Sequence, residues 1–168
     1  MKTVPLGGKK AAGRVALVDD GDYDLVMQYR WHVSEFPRPR AGRSRGPYAH
    51  ATTYPEGRRT TISMHALISR YPQTDHKDHN GLNNQRSNLR PATDVQNSAN
   101  RLPQLERSSA FKGVRWRKYR NGGGCWRASI MSNGVVYRLG HFAVEEDAAR
   151  AYDAAARRLS GEFAYTNF

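Results

Sequence analysis

The stretch Asp75-His76-Lys77-Asp78-His79-Asn80-Gly81 is followed by Asn83-Asn84, by Asn88-Leu89-Arg90, and by Asn97 and Asn100. A carboxylate next to a histidine, followed at fixed offsets by asparagines, supplies the groups that metal-assisted phosphodiester cleavage requires. These groups are an oxygen ligand for a hard metal, a general base, an orienting amide and a second oxygen ligand. Because Asn and Asp also crowd turns for local hydrogen-bonding reasons, the inference depends on the ordered set.

This ordered set resembles the HNH nuclease family, in particular its phage-type, intron-encoded or free-standing homing endonucleases. In that family an Asp-His pair, an Asn-Leu-Arg sequence and a later Asn occur in this order, and the resemblance covers roughly residues 62–101. It implies the ββα-metal fold, in which two strands and a helix surround a metal ion. It also implies metal-dependent hydrolysis of phosphodiester bonds.

The resemblance assigns a role to four residues. Asp75 and Asn97 would be the metal ligands, His76 would be the general base, and Asn88 would either orient the histidine or tie the loop together. Oxygen ligands without sulfur, with room for waters and a phosphate oxygen, suit Mg²⁺, with Mn²⁺ as a substitute, better than Zn²⁺. An unperturbed imidazole titrates near pH ~6.5, so His76 is available as a base at neutral pH.

Three neighbouring polar residues, Asn84, Asn100 and His65, are interpreted as structural. Asn84 and Asn100 are expected to be scaffolding of the loop and the helix. His65 resembles an upstream histidine of these nucleases, but its apolar neighbours favour a packing role. His79 stands where the family pattern usually has glycine, which concerns the turn and leaves the ligands unaffected.

The formal net charge of +12 and the pI near 10.3 favour a polyanionic partner, because each Lys or Arg that neutralises a phosphate releases condensed counterions. A membrane partner would require a basic amphipathic helix or a long apolar run, and the sequence has neither. The single cysteine, Cys125, excludes an intramolecular disulfide and a cysteine-cluster zinc site.

Residues 1–5 lack the apolar segment of a signal peptide. We therefore expect a cytoplasmic, non-secreted protein, in the host-cell cytoplasm or nucleoid if a phage encodes it. The expected partner is double-stranded DNA, with no membrane and no small-molecule cofactor. A single active site per chain favours a monomer.

Short strands are predicted in the N-terminal part at residues 15–18, 29–33, 48–54 and 60–64. The Pro-, Arg- and Gly-rich residues 35–47 are interpreted as a basic loop, with phosphate contact and plain solvation as equal alternatives. Two further strands, at 73–77 and 89–92, flank the Asn-rich loop. A helix is predicted to begin at Thr93, where Gln96 completes a capping box.

The C-terminal part carries a second resemblance, in Phe111-Lys112-Gly113-Val114-Arg115-Trp116-Arg117, in residues 126–130 and 137–142, in the Ala-rich residues 145–155, and in the terminal Asn167-Phe168. These segments are similar to the plant ethylene-response-factor (APETALA-type) DNA-binding domain. The resemblance implies a three-stranded antiparallel sheet backed by one helix, with the sheet inserted in the major groove.

Alternation along the three strands independently predicts one apolar and one mostly basic face. A stripe of small and apolar residues at helical spacing could cover the apolar face, and Gly161 is placed to end that helix. The stripe consists of Ala148, Ala151, Tyr152, Ala155 and Leu159.

The residues expected to contact DNA are Lys112, Arg115, Arg117, Arg127, Ser129 and Arg138. Arginine can read guanine in the major groove or bind a phosphate, and the sequence leaves both alternatives open. The target site of the plant domain should not be carried over. Ser129 and Met131 stand where that domain has Glu and Arg, and Arg138 replaces a Trp.

These patterns predict an α+β protein in which a small β-rich region leads into the ββα-metal motif. Residues 1–101 would form the nuclease domain, with its core at about 62–101, residues 102–109 a linker, and residues 110–168 the DNA-binding domain. The predicted function is that of a site-preferring nicking or homing endonuclease.

Two alternatives remain. One is a DNA-binding regulator with an inert nuclease domain, and the other is a nuclease acting on RNA or structured single strands. The basic sheet favours duplex DNA, because the A-form major groove is too narrow to admit it.

Overall fold

The computed structural model describes residues 1–34, 46–103 and 108–168. Most of the predicted basic loop at 35–47 and the middle of the predicted linker at 102–109 lie outside the described residues. By packing, the chain forms two compact units, Met1–Thr93 and Asp94–Phe168. The proposed domain boundaries at 101 and 110 stay a prediction.

The first unit contains three small antiparallel sheets. Strand β1 (Lys2–Pro5) pairs with β2 (Val15–Val18), and β6 (Thr74–His76) pairs with β7 (Leu89–Pro91). The third sheet has the order β3 (Trp31–Ser34), β4 (Tyr48–Thr53) and β5 (Thr60–Ser63). Two short helices, α1 (Tyr23–Met27) and α2 (Met64–Ser69), accompany them, with single 3-10 turns at Asp20–Asp22 and Pro55–Gly57.

The core of the first unit is built from the inward faces of these short elements. Trp31 and Val33 are buried while His32 between them is half-buried, as the alternation of a strand with one wet face requires. Met64 and Ile68 lie one turn apart on α2 and are fully buried. Helix α2 contacts β4, β5, β6 and β7, and it thereby brings His65 into the centre of the unit.

The second unit consists of helix α3 (Asp94–Ala99), a three-stranded antiparallel sheet and a long helix, α4 (Glu145–Ser160), followed by a 3-10 turn at Gly161–Phe163. The sheet has the order β10 (Val135–Phe142), β9 (Gly124–Ser132) and β8 (Val114–Lys118). Alanines let α4 approach the sheet closely, with Ala148 and Ala149 against Val114 and Ala128. A Cβ at Gly113 would overlap the ring of Tyr152, so only glycine fits there.

The carboxylate of Asp153, on α4, fastens the C-terminal residues. It accepts hydrogen bonds from the backbone N–H groups of Asn167 (2.8 Å) and Phe168 (2.9 Å), and from the Asn167 side chain (2.9 Å). Asn167 Oδ1 in turn accepts from the backbone N–H of Lys112 at 2.7 Å. The terminal Asn-Phe pair is therefore an integral part of the second unit.

The predicted α+β fold class is confirmed, including the three-stranded sheet with one helix across it. Helix α4 begins after Val144 without a side-chain cap and ends at Gly161, whose φ is 52°. Elements β1, α1 and α2 were not predicted, since each is too short to show a sustained period. No helix in the described part of the chain is long and apolar enough to span a membrane.

Candidate active site and nucleic-acid interface

The β6–β7 pair carries the Asp-His dipeptide. Asp75 lies opposite Arg90 in the register, and His76 lies opposite Leu89. Arg90 donates from Nε (2.9 Å) and from a terminal nitrogen (2.8 Å) to Oδ2 of Asp75, and both side chains are only 10% exposed. The predicted metal ligand thus has one oxygen bound by a buried guanidinium, and Arg90 holds the carboxylate in place.

The loop between these strands is organised around Asp78. Oδ1 of Asp78 accepts from the backbone N–H of Asn80 (2.8 Å) and from Nδ2 of Asn88 (2.8 Å), and Oδ2 accepts from Nδ2 of Asn83 (2.7 Å). Asn88 also accepts from the backbone N–H of Asp78 at 3.0 Å and donates to the Asn83 carbonyl. Of its two alternative roles, these contacts support the one in which Asn88 ties the loop together.

The loop is also anchored to the rest of the first unit. The backbone of Asn84 donates to the Leu17 carbonyl and that of Leu17 donates to Leu82, both at 2.8 Å. Arg86 forms a two-pronged ion pair with the buried Asp22, with N–O distances of 2.8 and 2.7 Å. These anchors place the Asn84 side chain, which has no exposed surface, beside the candidate base.

Three side chains surround the His76 ring. Asn84 Oδ1 lies 3.5 Å from Nε2 of His76, at the outer limit of a hydrogen bond. The His65 ring stands edge-on to the His76 ring with 5.2 Å between centroids, and the Tyr48 ring lies 5.6 Å away. A Cβ at Gly81 would overlap the Tyr48 ring, so glycine lets the loop close over this tyrosine.

Burial is the dominant electrostatic influence on these histidines. It lowers the pKa of His76 below its usual range, although Asn84, Asp78 and Asp75 oppose the change. Burial, with the nearby His76 and His50, lowers the pKa of His65 to about 4. Both rings are therefore neutral at pH 7, and a neutral imidazole is the form that accepts a proton.

For Asp78, the hydrogen bonds together affect the pKa more than burial does. Burial would raise the pKa of Asp78, but the hydrogen bonds from Asn83, Asn80 and Asn88 outweigh it and lower the pKa below its usual range. A carboxylate that accepts three hydrogen bonds is stable as the anion. Asp78 therefore contributes a fixed negative charge close to His76.

Three buried nitrogen atoms near this cluster have no hydrogen-bond partner among the residues that the structure describes: Nδ1 of His65, Nε2 of His50 and Nδ2 of Asn84. Unsatisfied buried polar groups are uncommon in folded proteins and tend to occur at functional sites.

The carboxylate of Asp75 is an oxygen donor of the kind that suits a hard metal ion with most of its hydration shell. No group of three or more His, Cys, Asp or Glu side chains that could hold a metal occurs among residues 1–34, 46–103 and 108–168. A carboxylate and an amide oxygen suit Mg²⁺, which is usually bound through one or two protein oxygens together with waters and phosphate. Asp75 belongs to the first unit, and Asn97, half-buried on α3, belongs to the second.

The C-terminal end of helix α3 is held by other residues of the second unit. The Ala99 carbonyl accepts hydrogen bonds from Nζ of Lys112 and from the backbone N–H of Tyr165. The Lys112 ammonium also lies over the Tyr165 ring, 5.2 Å from its centroid. This position gives Lys112 a structural role that its proposed DNA contact did not anticipate, since its charged end is engaged within the unit.

The other five predicted DNA contacts share one face of the sheet. Arg115 lies opposite Arg127, Ser129 lies opposite Arg138, and Arg117 has the same parity as Arg115. Ala128 and Ile130, which alternate with Arg127 and Ser129 on β9, are buried against α4, so the basic face points away from the helix. His141, opposite Arg127 and exposed, also belongs to this face and was not predicted.

Sequence reasoning did not identify the side chains that contact His76. His65 was expected to serve packing and does pack, but against the His76 ring. Asn84, expected to be scaffolding, is the asparagine beside His76. The recurrence of His and Asn near the motif was the available signal, but no spacing in the sequence indicates which asparagine reaches the histidine.

No protein-family model matches the chain. An uncharacterized HNH endonuclease of Acanthamoeba polyphaga mimivirus is 33% identical over 158 residues, which cover 94% of this chain and 77% of that protein. An ethylene-responsive transcription factor of Arabidopsis thaliana is 47% identical over 70 residues, which cover 40% of this chain and 25% of that protein.

Proposed function

The chain belongs to the HNH endonuclease family, and we propose that it is a metal-dependent endonuclease that hydrolyses phosphodiester bonds in duplex DNA. The observation that carries the proposal is the buried His76 beside Asp75, with its imidazole neutral and its ring enclosed by Asn84, His65 and Tyr48. A positioned neutral histidine next to a carboxylate is the arrangement that general-base hydrolysis requires.

His76 takes a proton from the water that attacks the scissile phosphate. Asn88 keeps the loop closed through Asp78, so that the strand carrying His76 is held at a fixed distance from the rest of the hairpin. Asp75, oriented by Arg90, would hold the Mg²⁺ or Mn²⁺ ion. The role of Asn97 as a second ligand stays a prediction. When bound, such an ion stabilises negative charge on the phosphate and on the departing 3′ oxygen.

Recognition is proposed to come from the basic face of the sheet. A minimal catalytic site reads almost no sequence, so specificity requires base-edge contacts made elsewhere on the duplex. Arg115, Arg127 and Arg138 are exposed or half-exposed on that face, and arginine is the side chain best suited to guanine and phosphate. The likeness of 70 residues of the chain to a plant transcription factor supports a DNA-binding role.

The proposed product is a nick, made by a monomer at a preferred site, and a homing role is compatible with that activity. One candidate site per chain makes a single cut the simplest outcome. Paired cuts would require a second copy of the chain or two successive nicks.

The test is cleavage of supercoiled plasmid carrying the protein's own gene, in Mg²⁺ and in EDTA, with wild-type protein, His76→Ala and His79→Gly. His79 lies in the same loop with a φ of 63°, where glycine is unstrained, so His79→Gly is a matched loss of one histidine. We expect metal-dependent conversion to open circles by the wild type and by His79→Gly.

His76→Ala should cut about 10²–10⁴-fold more slowly while binding DNA as tightly. Linear product from the wild type would indicate paired cuts. Tight duplex binding without any cleavage would contradict the proposal and favour the inert DNA-binding regulator.

A further inference from the structure

The tip of the β9–β10 hairpin presents apolar side chains on the basic face. Asn133 and Gly134 have φ values of 50° and 77°, as in a tight two-residue hairpin turn. The second cross-strand pair from this turn is Met131 with Val136. Directly opposite residues in antiparallel strands project to the same side, so this pair projects to one side of the hairpin tip.

That side is the basic face of the sheet, which is proposed to contact DNA. Met131 has the same parity on β9 as Ser129 and Arg127, and Val136 has the same parity on β10 as Arg138. The register is regular from Val135 to Arg138, and it shifts only between Arg138 and Gly140. The apolar pair is therefore the next row of the same face after Ser129 and Arg138.

Neither side chain serves the core. Met131 is 71% exposed and Val136 is 56% exposed, whereas Ile130, next to Met131 on β9, is 8% exposed. Ile130 and Ala128 are the β9 residues that pack under α4. The basic face therefore carries two adjacent exposed apolar side chains. A DNA group that contacts them would be apolar and would lie among phosphates and polar base edges.

We propose that Met131 and Val136 read the C5-methyl group of a thymine in the major groove. Among the four bases, only thymine presents a methyl group there, and apolar side chains are the groups that contact it. Methionine is flexible and polarisable, which suits it to the irregular surface of base edges. The inference rests on the proposed function, in which the basic face of the sheet contacts base edges, and on the expectation that the sheet enters the major groove.

The strand geometry limits where that thymine lies. Met131 is two residues beyond Ser129, a distance of ~7 Å at ~3.4 Å per residue. Base pairs are stacked at ~3.4 Å per step, so the thymine should lie within about two base pairs of the base contacted by Arg138. The preferred site would then combine a guanine or phosphate contact from arginine with a thymine next to it.

The experiment uses the full chain in EDTA, which prevents metal-dependent cleavage. A bound sequence is selected from random duplexes, and each thymine of that sequence is then replaced by deoxyuridine, which lacks only the methyl group. The affinities of the substituted duplexes are measured for the wild type, for the double variant Met131→Ala/Val136→Ala, and for Val135→Ala. Val135 is 53% exposed and adjacent to Val136, but it projects to the other face, which makes it the matched control.

We expect one thymine whose replacement weakens wild-type binding about fourfold, the value for one buried methyl-sized group. The same replacement should have no effect on the double variant, and it should keep its effect on Val135→Ala. A duplex in which this T·A pair is replaced by C·G should bind the wild type more weakly. Placing 5-methylcytosine there instead of cytosine restores the methyl group and should recover part of the affinity.

Two results would overturn the inference while leaving the proposed function intact. One is that no thymine is sensitive to loss of its methyl group although Arg138→Ala weakens duplex binding. The other is that the double variant retains the sensitivity of the wild type. If neither the wild type nor any variant binds duplex DNA in preference to single strands, both the inference and the proposed role of the sheet fail.

Discussion

Arg90 and Asp75 lie directly opposite each other in the β6–β7 pair, and their ion pair is almost fully buried. A buried charge that loses its partner is costly, because it has neither water nor a counter-charge. We expect Arg90→Met to lower the free energy of unfolding of the first unit by about 3–5 kcal/mol. Urea denaturation followed by circular dichroism measures this change.

A second variant separates the loss of charge pairing from the loss of packing. In Asp75→Leu/Arg90→Met both charges are removed, so most of the stability lost in Arg90→Met should return. If the double variant were as unstable as Arg90→Met, the charge of Asp75 would not be the cause. Both variants alter the surroundings of the proposed metal ligand, so stability is the quantity to compare.

If Oδ1 of Asn84 accepts a hydrogen bond from His76, the proton lies on Nε2, and Nδ1 carries the lone pair that can accept a proton. Asn84→Leu keeps the size of the side chain but removes the acceptor. We expect this variant to lower kcat by roughly 10–100-fold, the usual effect of removing a partner that orients a functional group, with DNA affinity unchanged.

The nitrogen chemical shifts of the His76 ring distinguish orientation from mere structural support. The wild type should show the tautomer protonated at Nε2, and Asn84→Leu should show a mixture of both. Asn83→Leu, which alters a neighbouring asparagine that bonds Asp78 instead, should keep the wild-type tautomer. An unchanged tautomer in Asn84→Leu would rule out this role.

At the residue scale the sequence identified the motif but not its contacts. The order of Asp75, His76, Asn88 and Asn97 is a local property of the chain, so a resemblance could reveal it. The approach of Asn84 and His65 to His76 depends on how β2 and α2 pack around the hairpin. No spacing in the sequence encodes those distances.

At the scale of elements, the attachment of α3 depends on a lysine whose amine is largely removed from water. Burial, with the charge of Arg101 adding to it, lowers the pKa of Lys112 to about 8, whereas an unfolded chain has a lysine pKa of about 10.4. Between these values the unfolded state binds the proton and the folded state does not. The stability contributed by this group therefore rises with pH from about 8 to about 10.

The comparison is between wild type and Lys112→Met, measured by urea denaturation at a series of pH values. Stability of the wild type relative to this variant should be constant below pH about 7 and should increase between pH about 8 and about 10. Lys118→Met, which removes an exposed lysine of β8, should show no such difference. A flat comparison for Lys112→Met would mean that the ammonium is solvated and not held against Ala99.

The sheet of the second unit was predictable because side chains alternate with a period of two. Once Val114 and Ala128 are assigned to the core, Arg115 and Arg127 must lie on the opposite face, and the register confirms that they are paired. The contacts of Lys112 could not be predicted in this way, and its proposed DNA contact stays a prediction. Lys112 precedes the strand proper, and the turn at Gly113 directs its side chain towards α3, which alternation does not describe.

At the scale of the whole molecule, basic residues outnumber acidic residues in both units. Charge of this kind supplies non-specific affinity that falls steeply with salt, since each neutralised phosphate releases counterions. In the proposed function, the second unit binds DNA and the first unit cleaves it, so substitutions in the two units should change different kinetic constants. Contacts from the sheet would stabilise the bound substrate and the transition state equally, whereas His76 would act only in the transition state.

Arg115→Ala tests this division, with Arg158→Ala as the control that removes the same charge from the exposed surface of α4. We expect Arg115→Ala to raise KM by roughly 10-fold or more, the loss of about 1–3 kcal/mol expected for one arginine contact, with kcat unchanged at saturating DNA. If Arg115 binds a phosphate, the slope of log affinity against log salt should also fall by ~0.9. If the slope is unchanged and specificity is relaxed at one base pair, Arg115 contacts a base edge instead. A fall in kcat comparable to that of His76→Ala would show that Arg115 acts in the chemical step, because loss of uniform binding leaves the rate of the bound complex unaffected.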